Sequence, residues 1–149
     1  MRASDVQFPH PALCLIEFPD EFDPGVFRDI LDDIKRLHDA SSRAGAILDM
    51  RNMRAGMVMS PARSECSRLT REMMGYLQDF GVCVARITTA PLIRAGLTIY
   101  DWTTPAPWER KTFGDVWVAE SWVRSKLAAE GIELPAKHFF PRAPSRHSA

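Results

Sequence analysis

Residues 47–65 read "ILDMRNMRAGMVMSPARSE". With Gly45 and Ala46 the run begins "GAILDM", which has no polar alternation before Asp49. A strand covered on both faces reads this way. Ser60-Pro61 then opens a helix, since serine is a favoured N-cap and proline suits the first helical position. A doubly covered strand followed by a helix predicts crossover connections in a largely parallel sheet.

The flanking sequence repeats the unit. On the N-terminal side, residues 12–18, "ALCLIEF", read as a strand. Asp23 and Pro24 then start a helix whose Phe27, Ile30, Leu31, Ile34 and Leu37 share one face. On the C-terminal side, Cys66, Leu69, Met73, Leu77 and Phe80 recur at helical spacing, with Gly81 placed to end that helix. Residues 82–87, "VCVARI", form the next strand, and Pro91 opens a short helix over residues 90–102. Residues 111–113 make a short edge strand. Asp115 caps a last helix in which Val116, Ala119, Val123 and Leu127 align, and Gly131 terminates it. This alternation predicts one α/β domain: a central, mostly parallel sheet of about four strands with about four helices packed on it. Residues 1–11 read as a loose leader, 12–131 as the domain, and 132–149 as a basic, proline-rich tail that is disordered or draped over the body.

Bulk composition narrows the function classes. The chain has 149 residues, 46% hydrophobic and 26% charged, enough for one sizeable core. Nineteen basic residues balance nineteen acidic ones, so no general electrostatic pull draws the chain to nucleic acid or an anionic membrane. No stretch approaches the roughly 18 apolar residues of a membrane span. Three cysteines, with no CxxC pair, favour a reducing compartment, and the expected location is cytoplasmic.

The C-terminal half carries a resemblance. "ARITTAPLIRAGLTIYDW" (85–102) followed by "PAPWERKTFGDVWVAESWVRSKL" (105–127) resembles the small bacterial SpoIIAA-like, or STAS/SEC14-type, domains. The matching elements are Arg94-Ala95-Gly96-Leu97-Thr98, the prolines from Pro105 to Pro107, Phe113, and Ala119 with Trp122. "ILDMRN" is similar to that family's central strand, and the resemblance spans about residues 12–127. It implies a STAS-like fold. STAS domains serve as regulatory interaction modules, and SEC14-like domains bind lipids, but function sits in a site and not in a fold. In the anti-sigma antagonists a phosphorylatable serine follows the strand-end Asp within a few residues. Here Asp49 is followed by Met50-Arg51-Asn52-Met53, and Ser60 comes eleven residues after Asp49, which departs from the pattern.

Two groups of residues are candidates for function. Arg51, Asn52, Ser60 and Arg63 would make an anion or switch site, because a helix N-terminus and cations both favour phosphate. The plainer reading makes Ser60 only a cap. Met57, Met59, Trp102 and Trp108 would make an interaction surface of adaptable methionines and aromatic anchors. The plainer reading has them filling gaps and pinning loops. No nucleophile–base set, metal-ligand spacing or phosphate-cradling glycine loop can be named, so neither enzyme nor cofactor nor metal is expected. Cys66 lies on an apolar stripe and reads as inert core. The expected function is a non-catalytic regulatory or protein–protein interaction module of STAS-like type, with another protein as partner and a homodimer as one form. The alternative is a binding module for a small apolar or lipid-like ligand, which a large apolar cavity would distinguish.

Overall fold

A computed structural model describes residues 6–39, 41–54 and 60–140, with Ser60 described by its backbone alone. The elements run β1 (Val6–His10), β2 (Leu13–Glu17), α1 (Pro24–Leu37), β3 (Ala44–Asp49), α2 (Ser60–Phe80), β4 (Gly81–Ile87), α3 (Pro91–Thr103), β5 (Glu109–Phe113) and α4 (Val116–Ala129). The five strands form one sheet in the order β1-β2-β3-β4-β5. β2 through β5 are mutually parallel, and β1 pairs antiparallel with β2.

The expected α/β architecture is present, with one strand more than expected. Residues 6–10 are an edge strand and not a loose leader. Pro9 is tolerated because an edge strand leaves one side of its ladder unpaired, and the register slips between Gln7 and His10.

The four parallel strands lie side by side in chain order, so every crossover advances in the same direction. Crossovers that share one hand then put their helices on one face of the sheet. Accordingly α1, α2 and α3 cover one face, and α4 covers the other. Helices cover both faces of β3, as its apolar run predicted; the α4 side is fully buried, while Ala46 and Leu48 on the three-helix side are part-buried.

Local signals act as their chemistry suggests. The Asp23 carboxylate accepts from Val26 N at 2.9 Å, capping α1 behind Pro24. Asp115 accepts from Trp117 N and Val118 N at the start of α4. α4 ends in a Schellman turn: Gly131, at φ +77°, donates to Ala128 O and Ile132 N donates to Leu127 O, both at 2.9 Å. α2 ends at Phe80, immediately before Gly81 as expected, but Gly81 opens β4 directly and does not use the left-handed region. Its lack of a side chain admits the Trp108 ring, whose Cε3 lies 2.9 Å from where a Cβ would be. His38 ties the end of α1 to α2. Its Nε2 contacts Ser42 O at 2.6 Å and must donate, so in the neutral ring Nδ1 accepts from the Tyr76 hydroxyl at 2.7 Å.

The C-terminal segment is draped as far as it is described. Ile132, Leu134, Phe139 and Phe140 pack with α4 over the sheet. Glu120, only 2% exposed, accepts from Phe139 N at 2.6 Å and from His138 Nδ1 at 2.7 Å. His138 in turn stacks parallel on Trp117, with centroids 3.7 Å apart. Arg124 donates to Pro135 O at 2.8 Å and also to Lys137 O. No helix among the described residues is long and apolar enough to cross a membrane.

Candidate functional site

Side chains alternate across a strand, so each parallel register produces rows that cross the sheet. Two rows face the three-helix layer: Cys14, Ala46, Val84 and Arg110, and next to it Ile16, Leu48, Arg86 and Thr112. The first row is low at its centre, where Ala46 stands between Cys14 and Val84. Above it, the α2 backbone lies closer to α1 and α3 than to the strands. Small side chains below and a helix held off above leave a cavity of about 160 Å³. Its wall is almost wholly carbon and sulfur, including Ile16, Leu31, Ala46, Met53, Cys66 and Leu97.

The polar groups bordering the cavity, among them Thr70, Arg86, Tyr100 and Arg110, are mostly engaged with one another or with groups behind them. Arg86, 4% exposed, donates through both terminal nitrogens to the two oxygens of Asp101, each at 2.7 Å. Arg110 lies 3.4 Å from the same carboxylate and donates to Thr104 O at 2.6 Å and Asp101 O at 3.2 Å. The Tyr100 hydroxyl meets Thr70 Oγ1 at 2.5 Å, and burial raises its pKa above the ordinary value. Ser67 and Thr104 pair at 2.5 Å, with Arg71 donating to Ser67 at 2.6 Å. Among the described residues, two buried side-chain N–H groups have no partner: Arg86 Nε and Trp108 Nε1. Both residues border the cavity.

The three cysteines are free and buried. Burial pushes each thiol up to about 12, which makes Cys66 an inert wall residue as expected, with Cys14 and Cys83 alike.

The structure distributes the candidate residues differently from the sequence reading. Arg51 is drawn back onto the strand end, where Nε and a terminal nitrogen donate to the two Asp49 oxygens at 2.9 and 2.8 Å. That pairing holds the Arg51 pKa above its ordinary range. Asn52 borders a shallow hollow shared with Glu17 and Asp20, an acidic setting poorly suited to an anion. Arg63 borders the apolar cavity instead. Ser60 is the first residue of α2, and its side chain lies outside the described residues, as do Met57 and Met59. Trp102 lies in α3, within the helix expected over residues 90–102, and is 76% exposed. Trp108 is half-buried and packs against the three-helix core.

The cluster of Arg86, Asp101, Arg110, Tyr100 and Thr70 was not singled out from sequence. One signal was available: an arginine inside "VCVARI", a strand otherwise apolar on both faces, needs a buried partner. Among the described residues, no group of three or more histidines, cysteines or carboxylates is placed to hold a metal ion. Comparison with family models, with curated proteins and with solved structures returns no match.

Proposed function

We propose that this domain binds a small apolar molecule between its sheet and its three-helix layer. The observation that carries the reading is the cavity of about 160 Å³ with its almost wholly apolar wall. Natural cores are close-packed, with few voids larger than a water. A cavity of about 150 Å³ lined by aliphatic and aromatic side chains stays dry and takes up benzene, so this one suits a body of about that size. The resemblance to SEC14-type domains points the same way. A native mass spectrum of gently purified protein, with thermal melts in toluene or indole, tests it. Binding appears as a mass lost on denaturation or as a rise in Tm. No bound mass and no shift with any benzene-sized hydrocarbon refutes it.

A second reading, a STAS-like protein-interaction module, is favoured by α3. Leu92, Ile99 and Trp102 are exposed at 64%, 38% and 76%. At spacings of seven and three residues they share one side of the helix. Analytical ultracentrifugation of wild type against Trp102→Ser tests self-association through this stripe. A wild type that stays monomeric at high concentration removes the homodimer.

A further inference from the structure

The Arg86 end of the cavity has two deficits. Asp101 supplies one negative charge to two guanidiniums, with Arg86 bound at 2.7 Å and Arg110 at 3.4 Å, so the trio carries a surplus positive charge. The second deficit is Arg86 Nε, a buried donor with no acceptor. A surplus charge and an unmet N–H at low exposure are both unfavourable, and one ligand group meets both: a carboxylate.

We propose that the cavity's ligand is a small apolar monoanion, a carboxylic acid with a body about the size of a benzene ring. Its carboxylate lies toward Arg86 and Arg110, and its body lies against Ala46, Leu97 and Cys66. This rests on the ligand-binding reading above and adds the head group. Trp108 Nε1, the other orphan donor, belongs to the Gly81 end of the cavity and takes no part.

Calorimetry with benzoate and with toluene separates the two claims. A charge-assisted hydrogen bond corresponds to about a tenfold or greater preference, so benzoate should bind at least tenfold more tightly than toluene. Arg86→Met should remove that preference and leave toluene binding in place. If Arg86→Met does not fold, Arg110→Gln should narrow the preference severalfold. Equal or tighter binding of toluene overturns the head group while the cavity reading stands. Binding of neither overturns both. A benzoate preference that survives Arg86→Met, or Arg110→Gln where the first variant does not fold, also overturns the assignment.

Discussion

Replacing Ala46 with leucine should stabilise this protein, which is the opposite of what the same change does in a solid core. Ala46 sits at the centre of β3 and borders the cavity, flanked in register by Cys14 and Val84. Leucine adds three carbons. Buried at about 0.8 kcal/mol per carbon, they contribute about 2.4 kcal/mol, offset by about 0.5–1 kcal/mol of lost rotamer freedom. The net is a gain of about 1.5 kcal/mol. Overpacking a filled site instead costs about 1–3 kcal/mol, so the two cases differ in sign. Urea unfolding followed by tryptophan fluorescence measures the difference directly. For a chain of this size the Tm should rise by about 3–6 °C, at about 2–4 °C per kcal/mol. The same substitution fills the ligand's space, so toluene or benzoate should no longer raise the Tm. A variant destabilised by more than about 1 kcal/mol would refute the argument, because it would mean the space above Ala46 is occupied.

Three further outcomes follow from named contacts. Asp101→Ala strands Arg86 and Arg110 without their carboxylate; it should cost about 3 kcal/mol in urea unfolding, the lower end of the range for a broken buried pair because Asp101 is partly exposed. Glu120→Ala removes the acceptor for Phe139 N and His138, so limited proteolysis should cut within residues 132–140 much faster than in wild type, and unchanged digestion would show that Arg124 and Trp117 hold the segment unaided. The thiols of Cys14, Cys66 and Cys83 rise from 9.0 to about 12 on burial, so below about pH 9 both folded and unfolded chains keep them protonated. Between about pH 9 and 12 only the unfolded chain loses those protons, and stability should fall as pH rises; a midpoint that stays level from pH 8 to 10.5 contradicts this, as does rapid labelling of the native thiols at pH 8.

The architecture was largely legible because it rests on local signals. The Asp23-Pro24 and Asp115 caps, the Gly131 terminator and the 3.6-residue stripes of α1, α2 and α4 each depend on neighbours within a few positions. The doubly apolar run of β3 required cover on two faces, which implied parallel strands with crossover helices. β1 was missed because its strand character comes from pairing with β2, and Pro9 disfavours a strand when read alone.

The sequence by itself thus determined the α/β alternation, the element starts and stops, and the burial of Cys66. Tertiary structure decided the site. Whether Ala46 leaves a void depends on how far α2 stands from the sheet, a distance between elements that no single element's sequence carries. Whether Arg51 meets an anion depends on Asp49 two residues away, which takes up its guanidinium. Arg86 and Asp101 are fifteen residues apart and meet only because α3 folds back over β4. Cavities and buried charge pairs are relations between elements, and periodicity along one element carries no record of them.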